Sequence, residues 1–131
     1  MVKTQSVPLH LRYKIWFEND DATALLGEGK IRLLKKIQEH GCLKQATEEM
    51  GWTYRTTWNN LKKIEKKLGC KLTLPQRGGK GGGGKLELTK EALEILSYYD
   101  FVNRTVGKKI AELIQKFEEK GGMKKRLTSN V

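Results

Sequence analysis

A glycine-rich segment flanked by cations is the part of this sequence whose residue types most directly suggest chemistry, namely phosphate binding. The spacing Gly79-x-x-x-x-Gly84-Lys85 matches most of the loop that cradles nucleotide phosphates. That loop needs Ser or Thr after its lysine to hold a magnesium ion, and it must open a helix. Here Leu86 follows, and residues 85–89 alternate polar and apolar as a strand does. The pattern therefore disfavours a nucleotide site and predicts a β-hairpin over 71–89.

The cations of this hairpin tip favour contact with nucleic acid over the alternative of a merely flexible tip. Glycine has no side chain, so the backbone can approach a phosphate closely. We predict a wing whose nucleic-acid contacts are made by Arg77, Gly79, Lys80, Gly81, Gly82 and Lys85.

A second set of polar side chains opens a predicted helix over 53–68. Arginine can pair with guanine in the major groove, asparagine with adenine, and threonine can bond to either or contact a thymine methyl. The start of such a recognition helix meets base edges. The predicted DNA-reading side chains are Thr53, Tyr54, Arg55, Thr56, Asn59, Asn60 and Lys63.

The alternative for this helix is an ordinary solvated face with i,i+4 charge pairs. Such a face would mix acids and bases, whereas Glu65 is the helix's one acid, among five cations in all. Trp58 recurs with Leu61, Ile64 and Leu68 at helical spacing, so we predict that Trp58 is buried rather than in contact with DNA. Thr53 offers a side-chain oxygen to cap the helix.

The elements that must position these residues form a mainly α fold with a small β component, a winged helix-turn-helix. Residues 9–17 alternate with period two and predict a strand, whose candidate partner is the later hairpin. Glycines follow the three predicted helices where helices commonly end. The predicted DNA-binding domain spans 1–89, with a strand at 9–17, helices at about 30–40, 43–50 and 53–68, and the wing hairpin at 71–89.

The following segment, 90–119, predicts one long helix that Thr89 caps. Apolar residues recur along it at alternating spacings of four and three, which is a heptad seam. We predict that this helix holds a homodimer rather than packing back on its own domain. The dimerisation residues are Leu96, Tyr99, Asn103, Val106, Ile110, Leu113 and Phe117. Residues 120–131 are typical of a disordered basic tail.

Composition bounds the function. The chain has 131 residues and a formal net charge of +11, which suits double-stranded DNA as a partner. No apolar run is long enough to span a membrane, and no signal segment opens the chain, so a cytoplasmic protein is expected. The two cysteines, Cys42 and Cys70, are not a C-x-x-C pair. We find no metal cluster, catalytic pair or cofactor motif, and predict that the chain is not an enzyme.

Three motifs carry a family resemblance: Gly51-x-x-Tyr54-x-x-x-Trp58, the run Gly78-Gly79-Lys80-Gly81-Gly82-Gly83-Gly84, and Leu88-Thr89. With them, residues 41–99 resemble the N-terminal DNA-binding domain of ModE-type molybdate-responsive transcriptional regulators. The looser pattern of Ala46, Leu61, Leu68-Gly69 and Leu88-Thr89 is similar to LysR-type regulators. The resemblance implies a dimer held by flanking helices, a third helix in the major groove, and a wing on the minor groove or phosphates.

One departure from this family concerns sensing. ModE-type regulators that sense molybdate carry further C-terminal oxyanion-binding domains, whereas this sequence ends at Val131, just after the long helix. Either the chain responds to another signal, or it uses a separate sensor protein, or it does not sense. We therefore expect a homodimeric, sequence-specific transcriptional regulator. The alternatives are a non-specific architectural DNA-binding protein and a one-domain oxyanion-responsive regulator.

Overall fold

Four helices and two short hairpins form the part of the chain that the structure describes. The computed structural model describes residues 9–21, 23–76 and 84–119. In chain order the elements are β1 (Phe17–Glu18), β2 (Ala24–Leu26), α1 (Glu28–His40), α2 (Leu43–Met50), α3 (Tyr54–Leu68), β3 (Thr73–Gln76), β4 (Lys85–Leu88) and α4 (Lys90–Glu119). The predicted fold class, mainly α with a small β component, is confirmed.

The chain divides into two compact units. The larger is Lys14–Asp100, and the smaller combines Met1–Tyr13 with Phe101–Val131. The larger unit holds α1, α2, α3 and both hairpins, and α4 contributes residues to each unit. The predicted division at residue 89, between a DNA-binding domain and a dimerisation helix, stays a prediction.

The predicted strand over 9–17 is wrong for most of its length. β1 is two residues long and pairs antiparallel with β2, not with the later hairpin. Ile15 and Phe17 pack against the core of the larger unit, whereas Leu9 and Leu11 are 56% and 71% exposed. Alternation alone cannot tell whether a partner strand is available. Here β2 pairs with Phe17 and Glu18 only, and the register shifts between them.

Two apolar clusters fill the larger unit. One joins α1, α3 and the start of α4, and its buried residues are Leu25, Leu26, Ile31, Leu34, Leu61, Ile64, Leu72, Ala92, Leu96 and Tyr99. The other joins α1, α2 and β4, and consists of Leu33, Ile37, Leu43, Ala46 and Leu86. Each cluster includes a residue from the wing region, Leu72 or Leu86, so the base of the wing is part of the core.

The connection between α2 and α3 is a tight turn centred on Gly51. This residue has φ of 72°, a left-handed conformation that side chains disfavour. The Gly51 amide donates to the Glu48 carbonyl at 3.1 Å, and the Trp52 amide donates to the Thr47 carbonyl at 3.2 Å. α1 and α3 also end at left-handed glycines, Gly41 and Gly69, as the sequence predicts. The three glycines end α1, α2 and α3 and thereby set the lengths of these helices.

Helix α4 begins where the sequence predicts, and its apolar seam divides between the two units. Thr89 Oγ1 accepts a hydrogen bond from the Ala92 amide at 3.1 Å, which confirms the predicted cap. Leu96 and Tyr99 are 5% and 7% exposed in the core of the larger unit. Both residues belong to the buried apolar cluster of the larger unit, so their assignment to a dimer seam is corrected. None of the helices in the described ranges is apolar over a stretch that could cross a bilayer.

Candidate nucleic-acid interface

The start of α3 is fixed by the hydroxyl groups of its first turn. Thr53 has extended backbone angles, and its Oγ1 accepts a hydrogen bond from the Thr56 amide at 3.1 Å. Thr57 Oγ1 donates to the Thr53 carbonyl at 2.8 Å. The predicted cap is confirmed, and one acceptor site of Thr53 is thereby used within the helix.

Most of the predicted DNA-reading side chains lie exposed on α3. Tyr54 is 54% exposed. Thr53, Arg55, Thr56, Asn59 and Lys63 are also exposed, and Asn60 is half-buried. The side chains of Arg55, Asn59, Asn60 and Lys63 make no hydrogen bond or ion pair within the described ranges. Their donors and acceptors are therefore available to a partner, and whether that partner is DNA remains a prediction.

The predicted burial of Trp58 is wrong. Its side chain is 36% exposed, whereas the neighbouring Thr57 is fully buried. The buried stripe of α3 therefore passes through Thr57 and Leu61, and Trp58 lies to one side of it. Thr57 can occupy a core position because its hydroxyl is satisfied by the Thr53 carbonyl. The Lys62 ammonium lies 4.4 Å from the centroid of the Trp58 ring, a cation–π contact.

Glu65 fixes the wing to α3, a role that the sequence analysis did not find. Its side chain is 8% exposed. Its Oε2 accepts hydrogen bonds from the Leu72 amide at 2.7 Å and the Thr73 amide at 3.3 Å. Its Oε1 lies 3.1 Å from the Lys62 ammonium. An acid on the apolar stripe of a helix needs such partners. The position of Glu65 beside Ile64 therefore indicates, from the sequence alone, that its carboxylate has a buried hydrogen-bond partner.

Two further hydrogen-bonded sites hold the wing. Thr89 Oγ1 donates to the Lys71 carbonyl at 2.8 Å, and the Thr89 amide donates to the Leu72 carbonyl at 2.9 Å. The Leu86 amide donates to the Gly41 carbonyl at the end of α1, at 2.7 Å. The first strand of the wing is thus tied to α3 and to the start of α4, and the second strand to α1. These bonds give the wing a fixed position relative to α3.

The wing itself is an antiparallel hairpin, in register from Thr73 opposite Leu88 to Gln76 opposite Lys85. Lys85 is exposed at the start of β4. The other predicted wing contacts, Arg77, Gly79, Lys80, Gly81 and Gly82, lie outside the described residues. The structure therefore places the base of the wing, and the contacts of its tip stay predictions.

One group of side chains where α1 meets α2 has ligand types that suit a metal ion. Ligand atoms of Glu39, His40 and Glu49 lie within 4.8 Å of one another. However, the Lys36 ammonium lies 3.3 Å from a carboxylate oxygen of both Glu39 and Glu49. Hydrogen bonds from His40 and then Lys36 lower the pKa of Glu49, and those to Glu49 and Glu39 raise the pKa of Lys36. Lys36 thus takes the place of a metal cation, and we assign none.

Comparison with known proteins connects this geometry to regulators. Residues 29–93 match the model of the bacterial regulatory helix-turn-helix protein, lysR family. The chain is 37% identical over 76 residues to the transcriptional regulator ModE of Haemophilus influenzae, covering 58% of this chain and 29% of that protein. It is 30% identical over 73 residues to the DNA-binding transcriptional dual regulator ModE of Escherichia coli K12, covering 56% and 28%.

The chain spans less than a third of the length of these curated relatives. Both are named as regulators, in agreement with the prediction that the chain is not an enzyme. Among solved structures, the BenM_DBD/benA site 1 DNA complex is similar over 65% of this chain and 89% of that one, with 15% identity and a TM-score of 0.47.

Proposed function

We propose that the chain regulates transcription as a homodimer that binds specific sites in double-stranded DNA. This proposal is supported by the match of residues 29–93 to the model of the bacterial regulatory helix-turn-helix protein, lysR family. The resemblance to ModE-type regulators is confirmed over the part of the chain that matches those relatives. The observation that carries the proposal is the exposed face at the start of α3, where uncharged hydrogen-bonding side chains accompany Arg55. Such a protein acts in the cytoplasm, where the DNA is.

The chemistry of this face is what base recognition requires. Arg55 can donate two hydrogen bonds to a guanine, and Asn59 can pair with an adenine in the major groove. Their side chains have no other partner in the described ranges, so contacting a base breaks no internal bond. Asparagine and threonine can also bond to phosphates, but Arg55 beside Asn59 and Asn60 at the start of the helix is the combination that pairs with base edges. Uncharged side chains at this position therefore favour a sequence-specific binder over an architectural one.

The wing contributes affinity rather than sequence preference in this proposal. Its cations Arg77, Lys80 and Lys85 contact the DNA backbone or the minor groove while α3 lies in the major groove. The Leu72 amide donates to Glu65 of α3, and the bonds of Thr89 and Leu86 tie the base of the wing to the start of α4 and the end of α1. The base of the wing and α3 are therefore already positioned relative to one another, which lowers the ordering cost of binding.

The homodimer in this proposal is held by the part of the α4 seam that the larger unit does not bury. These residues are Asn103, Val106, Ile110, Leu113 and Phe117, of which Leu113 and Phe117 are 52% and 55% exposed. A symmetric dimer presents two copies of α3, so the DNA site should be an inverted repeat. Its half-sites should be about one helical turn apart, roughly 10 base pairs, or a multiple of this.

Selection of binding sites from a pool of random duplexes tests the proposal. We expect enrichment of an inverted repeat with fixed half-site spacing. Enrichment of no sequence would favour the architectural alternative, and a single unrepeated site would contradict the dimer. Calorimetry with molybdate and tungstate, with and without a candidate sensor protein, tests the alternative of an oxyanion-responsive regulator.

Binding should weaken steeply as salt is raised. A dimer that neutralises about 6–10 phosphates is expected to lose a factor of about 10³–10⁵ in affinity between 50 and 200 mM salt. The cause is the release of counterions from DNA when cations such as Lys63 and Lys85 replace them. Titration by fluorescence anisotropy at several salt concentrations gives the slope. A nearly flat dependence would mean that few phosphates are contacted.

A further inference from the structure

An open cavity of about 590 Å³ lies within the larger unit, between the segment before β1, the start of α1 and the turn after α2. Cavities of this size are typical of sites that bind small molecules. The described residues that line it include none of the DNA-reading side chains of α3 named above. The proposed DNA contacts therefore give this cavity no role.

Two tryptophans form part of its wall. The Trp16 indole Nε1 donates a hydrogen bond to Glu18 Oε1 at 2.9 Å, which fixes the orientation of a ring that is 52% exposed. Trp52 is half-buried and packs against the apolar cluster of α1, α2 and β4. A Cβ added to Gly27 would lie 3.7 Å from Trp16 Cβ, and one added to Gly29 would lie 3.9 Å from Trp52 Cζ2. The two glycines thus place the start of α1 beside both tryptophans without adding side chains of their own.

Three cations, Lys14, Lys30 and Arg32, and one acid, Glu28, also line the cavity. Lys30 is half-buried, and the other two cations are exposed. Within the described ranges, none of the three cations makes a hydrogen bond or an ion pair. An anion in the cavity would gain charge-assisted hydrogen bonds from them without breaking a bond in the protein.

We propose that this cavity binds a planar aromatic carboxylate, with its ring against the tryptophans and its carboxylate against the cations. The mixed wall favours this class of ligand. An inorganic oxyanion or a DNA phosphate would use the cations but not the apolar side, to which Leu25 and Met50 also contribute. A neutral aromatic molecule would leave the cations unused. Such a site goes beyond the proposed function, in which DNA is the partner of α3 and the wing.

The chain contains three tryptophans, and they provide a local readout. Trp16 and Trp52 line the cavity, whereas Trp58 does not. We expect 2-naphthoate, added to the full chain, to shift the indole N–H resonances of Trp16 and Trp52 to a saturating endpoint and to leave that of Trp58 in place. The neutral analogue 2-naphthalenemethanol should bind about tenfold more weakly or worse, because it cannot form the charge-assisted bonds.

Substitutions of charged lining residues should change the affinity in opposite directions. Arg32→Gln should weaken binding of 2-naphthoate by about fivefold or more and leave binding of the neutral analogue unchanged. Glu28→Gln removes the acid from the wall and should strengthen binding of 2-naphthoate. The control is Lys66→Gln, which removes one positive charge at an exposed position outside the cavity. This control should leave both affinities unchanged.

Several results of the titration would overturn the proposal. Equal shifts of all three indole resonances would show that 2-naphthoate binds the basic surface without selectivity. Equal affinity for 2-naphthoate and its neutral analogue, or for 2-naphthoate and sulfate, would show that the ring and the carboxylate are not both recognised. Shifts of Trp16 and Trp52 caused by duplex DNA but not by 2-naphthoate would make the cavity a phosphate contact. Each of these results leaves the proposed function standing, since that depends on α3.

Discussion

Replacing Glu65 by alanine is expected to lower the free energy of unfolding by several kcal/mol and to abolish the contribution of the wing to DNA affinity. The carboxylate accepts the amides of Leu72 and Thr73 at a site that is 8% exposed. Each buried donor left without a partner costs about 1–3 kcal/mol. In a unit of about 90 residues, each kcal/mol lowers the melting temperature by about 4–8 °C.

Lys62→Ala is the matched control for this change. Lys62 is the ion-pair partner of Glu65, but its side chain is 40% exposed. An exposed ion pair contributes about 0–1 kcal/mol, so this variant should melt close to the wild type. Thermal denaturation followed by circular dichroism compares the three proteins. A similar decrease in melting temperature in both variants would mean that Glu65 stabilises the fold through its ion pair with Lys62 and not through the backbone amides.

Replacing Arg55 by alanine is expected to weaken binding to the selected DNA site by about 5- to 150-fold for each half-site, the equivalent of about 1–3 kcal/mol. Binding to unrelated DNA should change little, so base preference should relax at one position of each half-site. The reason is that an arginine paired with a guanine reads a base, whereas a lysine on a phosphate does not. Anisotropy titrations against a set of single-base variants of the site measure both effects.

Lys85→Ala provides the contrasting variant, since Lys85 is exposed at the base of the wing. It should weaken binding to all duplexes by a similar factor and reduce the salt dependence by about one unit of slope for each protomer. A change of base preference in this variant would show that the wing reads bases. If Arg55→Ala weakened all duplexes alike, Arg55 would be a phosphate contact and another residue would carry the preference.

Signals that lie within a few residues were predicted correctly from the sequence. The hydroxyl caps at Thr53 and Thr89, and the glycines that end α1, α2 and α3, depend on backbone groups of the adjacent turn. The spacing of apolar residues in each helix likewise depends only on neighbouring turns, and it predicts which face of the helix is buried. These features establish the helix-turn-helix and the start of α4 without reference to distant parts of the chain.

The incorrect predictions concern strand pairing and burial, which depend on residues distant in the sequence. The alternation over 9–17 predicts a strand, but only Phe17 and Glu18 find one to pair with. The heptad spacing of α4 is continuous, yet Leu96 and Tyr99 are covered by the chain's own core. The helical spacing of α3 is compatible with burial of either Trp58 or Thr57. Thr57 is the buried residue, because its hydroxyl donates a hydrogen bond to the Thr53 carbonyl.

The roles of Glu65 and Gly107 were not predicted because each depends on a contact far along the chain. Glu65 was counted as one charge in a basic helix, although its carboxylate binds the backbone that opens the wing. Gly107 is disfavoured inside a helix, yet a Cβ at this position would lie 2.6 Å from the Tyr13 hydroxyl oxygen. An acid on an apolar stripe and a glycine inside a helix both conflict with local preference. Such conflicts often indicate a tertiary contact.

The most direct test of the account compares the affinity of the chain for its selected inverted repeat with its affinity for a scrambled duplex of the same composition, at one physiological salt concentration. If α3 reads bases through its exposed polar face, the selected site should bind about 10³-fold more tightly or better. Equal affinity for the two duplexes would contradict the account, because it would show that the chain binds the DNA backbone alone.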